Sequence, residues 1–215
     1  MTIMKILAQI SKWGNTKRRK KINQKNRLRL LNKNFSLIAN TCNGGVVCHD
    51  LGVRFNSPFV NLWIYSKDYI KIVKNLREYL SSELVFYPIG WGVNYPVARL
   101  LDADIYFMHY GSINDAKDKW YERCERVNYN NLFVLFTEMN GCTVKEMEDF
   151  DRLEISNKIL LTHIEYPEIK NSFYIKGFEN KIECGILSNW LPHKISGKRY
   201  LDQFDWVKWF NGDTF

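Results

Sequence analysis

The sequence predicts an α/β fold: a three-layer, mostly parallel sheet with helices on both faces, preceded by a basic N-terminal helical arm. Three observations carry this. Short apolar runs alternate with single helical stretches, the pattern of strands joined by crossover helices. The runs are hydrophobic almost throughout, which suits strands buried on both sides. The excess positive charge is confined to the first 33 residues. Together they point to a Rossmann-like body behind a charged helix.

In the arm, Ile3, Met4, Ile6, Leu7, Ile10 and Trp13 recur at spacings near three and four, and a basic helical stretch continues to Leu31 with a soft break at Gly14-Asn15. Residues 35–39 (FSLIA) form the first strand and end in the polar loop Asn40-Thr41-Cys42-Asn43-Gly44-Gly45. Residues 59–65 (FVNLWIY) read as a second extended run, and Asp68 as the cap of a helix to about residue 80. Residues 84–87 are a short strand, followed by a Gly/Pro-punctuated connection through Trp91 and Pro96. Residues 104–108 (DIYFM) read as a central strand, and Ser112 caps a helix to about residue 127. Residues 132–136 (LFVLF) are a strongly apolar strand, Thr143 caps the next helix, and residues 158–161 form a further strand. Residues 199–210 read as an aromatic-rich amphipathic helix. With no internal repeat, the expected organisation is a basic helical arm over 1–33 and one α/β domain over 34–215.

Charge narrows the partners. Eleven Lys or Arg and no acidic residue precede Asn34, so the net +8 divides into +11 for the arm and −3 for the rest. A nucleic-acid enzyme more often spreads its excess through the fold, so nucleic acid is not the expected partner. Lys17, Arg18, Arg19, Lys20 and Lys21 instead suit an anionic membrane surface, while the apolar stripe of the same helix suits packing on the body. Cys42, Cys48, Cys124, Cys142 and Cys184 are odd in number with no CxxC spacing, as free thiols in a reducing compartment would be. The apolar segment precedes the arm's charges, against the order of a signal peptide, and no apolar run approaches a membrane span. A cytoplasmic protein, peripheral on the inner face of the cell membrane, is the expectation.

In open parallel sheets ligands bind beyond the carboxyl ends of the strands. That rule selects Asn40, Cys42, Asn43, Gly44 and Gly45 after the first strand, His109 and Tyr110 after the central one, Glu138, Asn140 and Gly141 after LFVLF, and His163 after the fourth. His109 is the general-base candidate and Cys42 a nucleophile candidate at a helix start, each competing with a structural role. Gly44-Gly45 matches neither GxGxxG nor GxxxxGK[ST], so a turn competes with phosphate contact. Asp102-Ala103-Asp104 precedes its strand, the wrong edge for a cation on a diphosphate. No metal site and no cofactor is assigned.

The runs FSLIANTCNGGVVCHDLGVRFNSPFVNLWIYSKDYIKIVKNL and IYFMHYGSINDAKDKWYERCERVNYNNLFVLFTEMNGC resemble the two signatures of a bacterial family, domain-of-unknown-function family 1919, over roughly residues 34–165. The family-like positions are Asn40, Cys42, Gly44, Gly45, the Asn56-Ser57-Pro58 run, His109, Tyr110, the Trp120/Arg123/Arg126 series, Asn128 and Gly141. Thr41-Cys42-Asn43 departs from the pattern, in which an aromatic commonly follows the cysteine. Members are often labelled exopolysaccharide biosynthesis proteins. The resemblance implies a role in cell-surface polysaccharide assembly; taken with the α/β pattern and the loop set, the expectation is a transferase-type enzyme with a phosphorylated or nucleotide-sugar ligand at the strand ends and Arg123 and Arg126 available to phosphate. The alternatives are a non-catalytic binding or regulatory module of the same pathway, and a Cys42/His109 hydrolase or acyltransferase.

Overall fold

The computed structural model describes residues 3–88, 92–192 and 195–213; Trp91, in the Gly/Pro connection, lies outside them. Four strands, β1 (Ser36–Ala39), β5 (Leu132–Thr137), β6 (Lys158–Thr162) and β7 (Ser172–Tyr174), form a wholly parallel sheet in the order β1-β5-β6-β7. Successive side chains point to opposite faces. Ile38, Val134, Phe136 and Leu160 enter one core, which takes in Tyr69 and Ile72 of α3 (Ser66–Lys74), Leu76 of α4 (Leu76–Ser81), Trp120 of α5 (Ile113–Cys124) and Phe150 of α6 (Val144–Asp151). Leu37, Ala39, Phe133, Leu135 and Leu161 enter the other, under α2 (Asn43–Leu51) and α7 (Trp206–Asn211). There Phe35 stacks on Phe210 with centroids 4.0 Å apart. The three-layer, mostly parallel arrangement is therefore present.

The 104–108 strand is placed differently from expectation. It appears as β4 (Ala103–Tyr106) in a separate antiparallel sheet, β2 (Leu84–Phe86), β3 (Val97–Leu100) and β4, and is not the centre of the parallel one. Only Leu101 and Asp102 separate β3 from β4, too little chain for a crossover, so the pair must be antiparallel. Leu101 takes the left-handed conformation (φ 54°), and Asp102 accepts from Tyr79 Oη (2.6 Å) and pairs with Lys71 (2.9 Å). The 59–65 run bends at Asn61, which takes the left-handed conformation (φ 60°), and joins β4 through a single bridge, Trp63 to Tyr106.

Other local expectations divide by mechanism. Ser112 caps α5, accepting from Asp115 N at 3.1 Å, and Thr143 caps α6 in a reciprocal box with Glu146. Asp68 does not cap α3; its carboxylate accepts from Asp104 N (3.4 Å) and pairs with Lys71 (3.3 Å), tying α3 to the antiparallel sheet. The 66–81 stretch breaks at Asn75 into α3 and α4. The 199–210 segment divides into a 3-10 turn, Tyr200–Gln203, and α7, with Asp205 accepting from Lys208 N.

The arm is one unbroken helix, α1 (Ile3–Arg29); it continues through Gly14, where close approach of Ile195 leaves no room for a side chain: a Cβ there would come within 2.6 Å of Ile195 Cγ2. Its inner face is fastened by charge. Arg19, 8% exposed, donates to Asp50 (2.6 Å) and to both oxygens of Asp202 (2.7 and 2.5 Å). Arg199 joins through Asp50 (2.7 Å) and Asn23 completes the cluster (2.8 Å). Farther along, Arg29 pairs with Asp205 (2.7 Å), and Asn211 Oδ1 accepts from Leu31 N (2.9 Å). Arg19 is thus a buried structural cation and is not available to a membrane surface.

Candidate functional site

The carboxyl ends of β1, β5 and β6 share one edge of the parallel sheet. At the first, fully buried Asn40 donates to Thr137 O (2.8 Å) and accepts from Thr137 N (2.9 Å), so its carboxamide extends the β1–β5 ladder by one step. Asn43 Nδ2 donates to Thr137 Oγ1 at 3.2 Å. Gly44 and Gly45 lie in the first turn of α2, where they were expected in the loop before it. Gly44 rides directly over β1: a Cβ would meet Ala39 Cβ at 2.7 Å. Gly45 faces Val60 and Asn61. Cys42 occupies the helix N-cap position with no side-chain capping bond, and its thiol points to Leu62 O at 3.6 Å. Burial pushes that thiol's pKa up, which disfavours the thiolate.

At the next two strand ends a buried carboxylate organises the groups. Glu138, 2% exposed, accepts through Oε2 from His163 N (2.8 Å) and lies 2.7 Å from His163 Nδ1, while Oε1 accepts from Tyr166 Oη (2.9 Å). With Nδ1 donating to the carboxylate, Nε2 carries the lone pair of the neutral ring, the arrangement of a carboxylate-oriented base. Asn140 and Gly141 make the following turn with φ of 59° and 73°, and Ser66 fixes it by donating to Met139 O (2.7 Å) and Asn140 O (3.2 Å). Burial pushes the Cys142 thiol to about 12 and raises that of Cys184 as well.

Tyr166 belongs to this cluster and no motif marked it. Burial, then its bond to Glu138, raises its pKa. Buried Tyr69 is raised by burial alone. An unfolded tyrosine ionises near pH 10 whereas these stay protonated in the fold, so their stabilising contribution is present below about pH 10 and is lost as pH rises further. Urea denaturation at about pH 9 and about pH 11 will show this fall, and Tyr166→Phe will make it shallower. An equal slope in both proteins would contradict the assignment.

The remaining expected residues lie off this edge. His109 is exposed in the turn that follows β4, and its side chain makes no hydrogen bond or ion pair among the described residues. Because β4 belongs to the antiparallel sheet, strand polarity does not carry His109 to the parallel edge. Tyr110 is buried; it donates to Val60 O (2.8 Å) and accepts from Arg123 Nη1 (2.6 Å). Burial raises the Tyr110 pKa, opposed by Arg123. Arg123 forms no ion pair with a carboxylate among the described residues, whereas Arg126 is tied to Glu122 (3.3 Å) on its own helix. No cluster of three or more His, Cys, Asp or Glu suited to a metal ion occurs among the described residues.

The family model described as "Domain of unknown function (DUF1919)" matches residues 13–211. The chain belongs to this family. An uncharacterized protein of Haemophilus influenzae is 40% identical over 200 residues, covering 92% of this chain and 94% of its own length. The DUF1919 match is wider than the strings that suggested it: it takes in most of α1, all of α7, and Asp202 and Asp205, the partners of Arg19 and Arg29 just before α7.

Proposed function

We propose that this DUF1919 protein binds a phosphorylated sugar donor of the nucleotide-sugar class at the turn between β1 and α2, and transfers the sugar in cell-surface polysaccharide assembly. The observation that carries the reading is the start of α2, where Cys42 makes no side-chain cap and Thr41 Oγ1 accepts from Asn43 N (3.3 Å) but neither side chain reaches the Gly44 or Gly45 amide among the described residues. A helix N-terminus concentrates free N–H groups and positive potential, and here Gly44 and Gly45 add no side chain to shield them. Arg123, with no carboxylate partner among the described residues, supplies further positive charge beside Tyr110. The polysaccharide product class comes from the family resemblance.

Within this reading His163, oriented by Glu138, is the acid–base group in preference to His109. The acceptor hydroxyl forms the new C–O bond at the anomeric carbon, the bond to the nucleoside diphosphate breaks, and the hydroxyl proton passes to His163 Nε2. The raised thiol pKa of Cys42 weighs against the hydrolase or acyltransferase alternative. The saturation of Glu138 by three internal donors favours a second reading, a non-catalytic binding module, for which His163→Ala would leave pathway output intact.

Thermal-shift screening tests the binding step with nucleoside diphosphate sugars, nucleoside diphosphates and inorganic phosphate, each with and without a divalent cation. Stabilisation by a nucleotide sugar is expected. Cys42→Asp places a negative charge beside the helix start, where it repels an anion, so the shift will disappear; the melting curve of the ligand-free variant checks that it folds. No stabilisation by any donor, or an undiminished shift in Cys42→Asp, would remove this site.

A further inference from the structure

We infer that the outward face of α1 is a docking surface for an anionic lipid bilayer, independently of what the strand ends bind. The inner face, through Asn15, Arg19, Asn23 and Leu30, is buried against the body or bonded to it. At 3.6 residues per turn the opposite stripe carries Trp13, Lys17, Lys20, Lys21, Gln24 and Leu28. All six are exposed, Trp13 at 66% and Leu28 at 80%. Trp13 to Leu28 spans about 22 Å of helix axis. Lys17 Nζ lies 5.2 Å from the Trp13 ring centroid, so the cation and the amphipathic ring present themselves together.

Three observations select a bilayer. The stripe mixes bulky apolar groups with lysines, the composition that lies flat at a lipid headgroup boundary. Phosphate contacts to nucleic acid would use the lysines but leave Trp13 and Leu28 without a role, and pairing with a second copy would set lysine against lysine. The chain beyond Lys33 is net negative, so an anionic surface attracts the helix and repels the rest, which fixes the orientation of docking. The ion cluster on the inner face fixes the helix on the body, so binding adds no cost of ordering its backbone. No described helix is long and apolar enough to cross a membrane, consistent with surface docking.

Flotation of the full-length chain with phosphatidylcholine vesicles, alone or doped with phosphatidylglycerol, tests this. Binding is expected only to the anionic vesicles and is released by high salt. Each near-surface lysine contributes about fivefold, so Lys17→Glu/Lys20→Glu/Lys21→Glu will weaken binding by at least about 100-fold. Trp13→Ala/Leu28→Ala will weaken it too, by a factor that salt does not change. None of these five side chains hydrogen-bonds to the body among the described residues, so unchanged melting curves will confirm that the variants fold. Absence of anionic-vesicle binding, equal binding by the triple variant, or capture of nucleic acid in place of vesicles would overturn the inference. A dimer that the triple variant dissociates, without vesicle binding by the parent protein, would do the same.

Discussion

Asp50→Ala will lower the free energy of unfolding by about 3–5 kcal/mol, the range for breaking a buried ion pair from one side. Asp50 takes Arg19 Nη2 and Arg199 Nη1 on one oxygen and Asn23 Nδ2 on the other. Without it, Arg19 keeps Asp202 alone, the Arg199 guanidinium loses its carboxylate, and the Nε atoms of both arginines are already buried without a partner among the described residues. Burial by itself would lower the Arg19 pKa; hydrogen bonding to Asp202, reinforced by Asp50, outweighs it and leaves the pKa raised. The charge therefore persists in the variant, and the cost is that of an unmatched buried cation. Urea denaturation reads the change directly. Arg19→Met paired with Asp50→Leu will cost less than Asp50→Ala alone, because an apolar replacement strands less charge. A loss below about 1 kcal/mol for Asp50→Ala would mean that water reaches the cluster and screens it.

The second large effect is steric. Gly44→Ala drives a methyl group to 2.7 Å from Ala39 Cβ, between a strand with no room to retreat and the first turn of α2. Overpacking of this kind costs about 1–3 kcal/mol. The partner is one methyl group, so Ala39→Gly in the same chain will recover most of the loss, while Ala39→Gly alone destabilises on its own account. A double-mutant cycle by chemical denaturation measures the coupling. Strict additivity of the two changes would show that something other than this contact limits position 44. The pair also separates packing from binding: the double variant keeps the helix start near the strand, so ligand stabilisation is expected to return with the fold.

Features set by local chemistry were legible in the sequence. The strands at 36–39, 132–137 and 158–162 are apolar on both faces, and Ser112 and Thr143 are helix caps whose hydroxyls need only the next turn. Features set by distant partners were not. Asp68 has the spelling of a cap, but Asp104 N and Lys71 hold its carboxylate. The β3–β4 turn uses Leu101 in a left-handed conformation, without the glycine or asparagine that marks such turns. Missing that turn put β4 in the wrong sheet and His109 at the wrong edge. β7 pairs with β6 over only three residues and carries no apolar run longer than its neighbours.

The candidate site divides along the same line. Asn40, Asn43, Glu138 and His163 follow strands whose polarity was readable, and they do share an edge. Tyr166, which completes the Glu138 cluster, comes from a loop whose course only the fold reveals. Arg19 shows the opposite failure: inside a run of five basic residues, nothing local distinguishes the one that turns inward.

The clasp between α1 and the segment from Arg199 to Asn211 bears on how the protein is made. Its bonds join residues more than 170 positions apart, Arg19 to Asp202, Arg29 to Asp205 and Asn211 to Leu31. On the ribosome, α1 emerges well before its partners, and its inward cations find their carboxylates only after the intervening strands and helices have been translated. At about 5–20 residues per second the helix waits on the order of ten seconds or more with those arginines exposed. A helix made before the sheet is thus secured only after it, and a ribosome that stalls before Asp202 releases a chain in which α1 is still unfastened.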